Sequence, residues 1–334
     1  MNKYLQTGFN QYAPMGGASV LTEKLANKIQ KLYGATVNPK TEITITAGGT
    51  QALFTAITTF IKSGDEVVLI EPAYDSYGPS IEVCGGVVVP YEMKAPDFKI
   101  DWNELENLMT ARTKMLIINT PHNPTGSILL ENDLKIIEQL AEKYDLIVLS
   151  DEVYEHLIYD EEQHQSVLRF PKLFQRSLAV YSFGKTFHST GWKMGYCVAP
   201  EHLMKEFRKV HQFNVFSVNS FVQYAIAEYL EEESTYLSLN NFYQQKRDFF
   251  LDKIKDSKLR PIKCAGTYFQ LVDYSEISDE PEFEFAKRMT MEFGVAVIPV
   301  SAFYTKKINQ KVVRICFAKT EDLLEEAAQL ICKI

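Results

Sequence analysis

The stretch SFGKTFHSTGWKMGY, residues 182–196, sets Ser182, Lys185 and Lys193 among glycines and apolar side chains. Lysine is ordinarily left in water, and burying one without a partner penalises its charged form. Such a stretch calls for a ligand that offsets the burial. A second candidate is TAGGTQALF, residues 46–54, where Gly48, Gly49 and Thr50 follow an apolar run and open a helical pattern. Free backbone N–H groups at a helix N-terminus suit a phosphate, although a plain strand-to-helix turn would read the same way. NTPHNPTG, residues 119–126, is a rigid turn with room for a cis bond, and it aims Asn123; His122 beside it reads as structural. Asp151 stands directly after LIVLS, as a helix N-cap or as a buried carboxylate facing a cationic nitrogen. Tyr154, three residues on, would return to the same pocket over one helical turn. Arg314 lies among apolar residues in VVRICFA, either as a surface ion pair or as an inward-facing arginine that needs an anion.

These residues must be positioned by the elements around them. Short β-rich runs at 42–46, 66–70, 86–90, 114–119, 146–150, 177–182 and 195–200 alternate with helical stretches. Among the helices, 50–62 is expected to end on a Gly64 cap, and 131–144 places Leu134, Ile137, Leu140 and Ala141 on one face. The pattern predicts an α/β fold with a mostly parallel central sheet sandwiched by helices. In such sheets ligands sit outside the carboxyl ends of the strands, where Gly49, Asn123, Asp151 and Lys185 all fall. After a helical region at about 201–256, strands at 266–274, 295–299 and 312–318 and a helix at 320–333 predict a smaller α+β domain. The expected division is 34–230 for the large domain and 1–33 plus 231–334 for the smaller one, with the helix near 18–32 packed on the latter.

A carboxylate at one strand end, a lysine at another and a phosphate-type turn nearby fit pyridoxal phosphate. That cofactor needs a lysine for an imine link and an acidic group to keep its pyridine nitrogen protonated. The order Asn in NPTG, Asp in SDEVY and Lys in SFGKTFHSTGWKMGY resembles the class I aminotransferases of fold type I. NQYAPM, EPAYDSY, NTPHNP, FYQQKRD, GTYFQLVDY and RICFAK extend the resemblance through nearly the whole chain, toward the methionine and kynurenine aminotransferase branch. The resemblance implies that Lys185 carries the imine link and moves the proton, and that Asp151 pairs with the pyridine nitrogen. It implies that Asn123 and Tyr154 hydrogen-bond the ring oxygen and that Tyr74 stacks on the ring. Gly49, Thr50, Ser182 and Lys193 would hold the phosphate, Lys193 standing where many members have arginine. Arg314, with Asn123, would clamp the substrate carboxylate. Tyr12 would reach the phosphate site of the other subunit in a homodimer.

The implied reaction is ping-pong transfer of the α-amino group of a large L-amino acid (methionine, aromatic or kynurenine-like) to a 2-oxo acid. Two alternatives stay open: a carbon–sulfur lyase of the same fold, and a truncated, weakly active chain with a binding or scaffold role. The second arises because the family's segment before NQYAP, with its substrate loop and dimer arm, is expected to be missing. A net charge of −8 argues against a nucleic-acid or anionic-membrane partner. The histidines show no metal-ligating spacing, so no metal is expected. Five scattered cysteines and no signal-like apolar N-terminus point to the cytoplasm.

Overall fold

The computed structural model describes residues 1–334. Its centre is a seven-stranded sheet of β1 (Ile43–Thr46), β2 (Glu66–Glu71), β3 (Val87–Glu92), β4 (Thr113–Asn119), β5 (Ile147–Asp151), β6 (Ser177–Ser182) and β7 (Gly195–Val198). The order across the sheet is β1-β7-β6-β5-β4-β2-β3. Pairings among β2, β3, β4, β5 and β6 are parallel, whereas β7 runs antiparallel to both neighbours. The connection through residues 183–194 carries no crossover helix long enough to restart a parallel strand, so the chain turns straight back. A second, antiparallel sheet has the order β10-β11-β9-β8, from β8 (Arg260–Pro261), β9 (Phe269–Asp273), β10 (Ile298–Pro299) and β11 (Val312–Cys316).

The helices are α1 (Asn2–Gln6), α2 (Ser19–Tyr33), α3 (Gly49–Phe60), α4 (Tyr77–Val83), α5 (Trp102–Glu106), α6 (Glu131–Lys143) and α7 (Pro171–Phe174). They continue with α8 (Phe183–Thr186), α9 (Glu201–Asn214), α10 (Ser220–Tyr229), α11 (Ser234–Leu237), α12 (Leu239–Ile254), α13 (Glu282–Met291) and α14 (Glu321–Ile331). The central strands are apolar and buried because both faces of the sheet are covered. On one face Ala52, Leu53 and Ile57 of α3 pack with Met204 and Phe207 of α9. On the other, Leu21, Leu25 and Ile29 of α2 join Leu134 and Ile137 of α6. The second sheet has its own core, including Phe250, Val272, Phe285, Val313 and Leu324.

Three local expectations need correction. The helix expected on the smaller layer, α2, lies instead against β1 and α10. Helix α3 ends at Phe60 on an extended Ile61 rather than on Gly64; Gly64 takes its positive φ of 88° in the following turn, where its N–H donates to the Gly85 carbonyl. The helical region at 201–256 is broken into α9, α10, α11 and α12, the first break marked by Phe216 at φ 66°. No helix is long and apolar enough to cross a membrane.

Candidate active site

At the carboxyl ends of the central strands lies a cavity of about 330 Å³. It is lined by Gly49, Thr50, Tyr74, Asn123, Asp151, Tyr154, Ser182, Lys185, Lys193 and Arg314. Ten of the residues singled out in the sequence thus come together, from segments as far apart as β1 and β11. Tyr12 does not join them. It is 79% exposed and meets Phe216 edge-on.

Asp151 is the last residue of β5, and a turn follows it rather than a helix. Its Oδ2 accepts from the Tyr77 hydroxyl at 2.6 Å, and its Oδ1 accepts from the Val153 N–H at 3.3 Å. Burial pushes its carboxyl up to about 6, against the pull of those hydrogen bonds and of Lys185. Deprotonated Asp151 is therefore costly here unless a cation meets it. Asn119, at the end of β4, donates to the Asp151 carbonyl at 2.8 Å and accepts from the Asn123 N–H at 2.7 Å. This ties the NTPHNPTG turn to the carboxylate. The peptide bonds before Pro121 and Pro124 in that turn are cis. His122 is structural: it is buried, its Nδ1 lies 2.8 Å from the Thr125 hydroxyl, and burial lowers it to about 3.

Arg314 sits on β11 opposite Leu271 and donates from Nη1 to the Asn123 Oδ1 at 2.7 Å. Its guanidinium lies 4.0 Å from the Phe269 ring centroid and 4.9 Å from that of Phe303. Lys185, on α8, donates from Nζ to the Tyr268 hydroxyl at 3.0 Å. Neither of these cations, nor Lys193, has a carboxylate partner; all three face one cavity. At the cavity's other end the first turn of α3 leaves the Gly49 and Thr50 N–H groups without helical partners. Gly195 is needed there. A Cβ on it would fall 2.6 Å from the Tyr181 carbonyl oxygen and 2.8 Å from the Gly48 backbone.

Anion-seeking donors, an isolated lysine amine and a buried acid facing one another fit pyridoxal phosphate: an anion at one end, a carbonyl carbon in reach of an amine, and a basic nitrogen opposite a carboxylate. The residues missed in the sequence are Tyr77, Asn119, Gly195 and Tyr268. Tyr77 shares EPAYDSY with Tyr74, and Tyr268 lies in GTYFQL, but neither has a motif spacing of its own.

A mostly parallel sheet with a cavity of this chemistry at its strand ends fits a pyridoxal-phosphate enzyme. The profile of aminotransferases of class I and II matches residues 2–331, and the chain belongs to that family. It is 45% identical over 327 residues to methionine aminotransferase of Escherichia coli (strain K12), an alignment covering 98% of this chain and 85% of that one. Against human kynurenine--oxoglutarate transaminase 1 the identity is 34%, over 95% and 83% of the two chains. The crystal structure of an E. coli protein identified as a methionine aminotransferase superposes with a TM-score of 0.98 at 44% identity, covering 100% of this chain and 88% of that one. N-succinyldiaminopimelate aminotransferase from Mycobacterium tuberculosis superposes with a TM-score of 0.95 at 32% identity, covering 99% and 88%. The protein is a pyridoxal-phosphate-dependent aminotransferase, acting on an amino acid and a 2-oxo acid.

Proposed function

We propose that this enzyme transfers the α-amino group of a large L-amino acid (methionine, aromatic or kynurenine-like) to a 2-oxo acid by a ping-pong route. The observation that carries the reading is the single cavity in which the Lys185 amine, the Asp151 carboxylate and the Arg314–Asn123 pair converge. The names of the E. coli and human relatives support the substrate range.

When bound, pyridoxal phosphate supplies an electron-withdrawing ring that delocalises the charge left at the substrate Cα. The protein does the rest. Lys185 would hold the cofactor through its Nζ and, freed as a neutral amine, would take the substrate Cα proton on Nζ and release it to the cofactor's carbonyl carbon. Asp151 would hold a proton on the ring nitrogen, which would relieve its own costly burial. Asn123 and Tyr154 would hydrogen-bond the ring oxygen, and Tyr74 would cover the ring. Gly49, Thr50, Ser182 and Lys193 would hold the phosphate. Arg314, already held by Asn123 and by two aromatic faces, receives the α-carboxylate. Tyr12, exposed beside Phe216, completes the phosphate site of a second copy in a homodimer. The unpaired cysteines fit a reducing cytoplasm.

The deciding experiment mixes the loaded enzyme with single amino acids and follows the visible absorbance of the cofactor. Methionine and aromatic donors should bleach it, and a 2-oxo acid should restore it. Lys185→Ala should show neither the band nor transfer. Pyruvate and ammonia released from cystathionine without any transfer would replace this reading with a lyase.

A further inference from the structure

The Lys185 amine has one hydrogen-bond partner in the protein, and it is not Asp151. It is the Tyr268 hydroxyl, 3.0 Å away. The amine also lies 5.6 Å from the Tyr154 ring centroid and 5.7 Å from that of Tyr268, so two aromatic rings and one oxygen surround it. We propose that Tyr268 is a positioning residue of this aminotransferase, its oxygen holding the Lys185 amine in place while that amine carries the substrate proton. The proposal rests on Lys185 being the proton carrier.

The backbone is arranged to put that oxygen there. Thr267, immediately before Tyr268, has φ 66°, a left-handed conformation that a β-branched residue rarely adopts. Several bonds hold it. Its N–H donates to the Leu157 carbonyl at 3.1 Å, its hydroxyl accepts from the Phe269 N–H at 3.2 Å, and its carbonyl accepts from the Tyr159 hydroxyl. On either side, the Gly266 N–H donates to the Gly126 carbonyl and the Phe317 N–H donates to the Tyr268 carbonyl. The kink falls just before β9. The Tyr268 ring then stands edge-on to Tyr154 at 5.3 Å and to Phe269 at 4.7 Å, which fixes its direction. Strain kept at a site by this many bonds is explained by what it aims.

The chemistry needs such an acceptor. In the transfer step the Cα–H bond breaks and an N–H bond forms on Lys185, converting amine to ammonium. No carboxylate bonds that ammonium. The Tyr268 oxygen accepts one of its N–H groups and keeps its own proton throughout, so the extra proton rides on nitrogen and returns from nitrogen. No other reactant is required. The oxygen also removes rotational freedom from the long lysine side chain, keeping its lone pair available in one direction.

Tyr268→Phe keeps the ring and its packing and deletes only the hydroxyl. The loaded variant should retain cofactor at wild-type stoichiometry. Its kcat should fall about tenfold to a hundredfold with KM for the amino donor within about twofold, and the rate ratio for Cα-deuterated donor should rise. Independently of turnover, enzyme loaded with pyridoxamine phosphate leaves Lys185 as a free amine, and acetic anhydride labelling of Lys185 read by mass spectrometry should run about two- to tenfold faster in the variant. Wild-type labelling rates, or an unchanged deuterium effect, would overturn the role of Tyr268 while leaving the aminotransferase reading intact. Transfer that survives in the Lys185→Ala variant would overturn both.

Discussion

Asp151 gives the most exacting test of the site's electrostatics, because its burial turns into a stability that depends on pH. In the cofactor-free protein its carboxyl is pushed from 3.8 to about 6, chiefly by burial, with the Tyr77 and Val153 hydrogen bonds and Lys185 pulling the other way. The native state thus binds the proton more tightly than the unfolded chain does. The carboxyl imposes no penalty below its unfolded value, and the penalty grows as pH rises through the folded value. Displacement by about two pH units at about 1.4 kcal/mol each makes the full cost about 3 kcal/mol, reached a little above pH 6. Asparagine at this position still accepts from Tyr77 but carries no charge. Urea unfolding of cofactor-free wild type and Asp151→Asn between pH 4 and pH 7.5 measures the difference. Asp151→Asn should gain on the wild type by about 3 kcal/mol across that range. Saturating pyridoxal phosphate should shrink or reverse the gap, since only the carboxylate can pair with a protonated ring nitrogen. A gap that stays constant with pH would refute the assignment of buried, unpaired charge to Asp151.

Gly195→Ala should loosen the end of the cavity proposed to hold phosphate, since the added Cβ meets backbone of Tyr181, Gly48 and Gly49 that cannot swing aside. Its dissociation constant for pyridoxal phosphate should rise about tenfold or more, at a stability cost of about 1–3 kcal/mol, and unchanged affinity by absorbance titration would contradict the close approach. Lys28→Met should cost about 3–5 kcal/mol in urea unfolding at pH 7, because it leaves the buried Glu155 carboxylate without the ammonium now 2.6 Å away. Burial raises Glu155, but Lys28 and His156 hold it well below the usual carboxylate range, so the loss in the variant should shrink as pH falls and Glu155 takes up a proton.

Most strands of the central sheet were legible because they are apolar runs between turn residues, and LIVLS or SLAVYS has no other way to bury both faces. Their ends marked the site, since Asp151, Lys185 and Asn123 are polar interruptions where the apolar runs stop. The direction of β7 was not legible: GYCVAP reads the same in either orientation, and only the tertiary turn through 183–194 decides it. The packing of α2 was hidden for a related reason. An amphipathic face states that something covers it, not whether that is β1 or the second sheet. Phe216 at φ 66° gave no glycine or asparagine signal for the break after α9, and Thr267 gave none for the kink that aims Tyr268. Backbone strain in residues that do not advertise it is imposed by the surrounding fold.

The charges in the cavity explain why the site was nonetheless recoverable as a unit. Lys185, Lys193 and Arg314 face it without ion-pair partners, and the one buried acid there, Asp151, is bonded to a tyrosine and a backbone amide instead. A hydrogen bond from Lys185 would have lowered the cost of burying the Asp151 carboxylate. Instead Lys185 is turned to Tyr268, and Asp151 stays apart. Under the proposed function each group then meets a complementary part of the cofactor or substrate: Lys193 the phosphate, Asp151 the ring nitrogen, Lys185 the carbonyl carbon and Arg314 the α-carboxylate. A fold that leaves complementary charges unpaired across a cavity is less stable alone, and anything that binds only the folded state returns that stability by mass action. The same separation that makes the empty cavity costly makes cofactor binding and catalysis selective for a molecule that carries all of these groups at once.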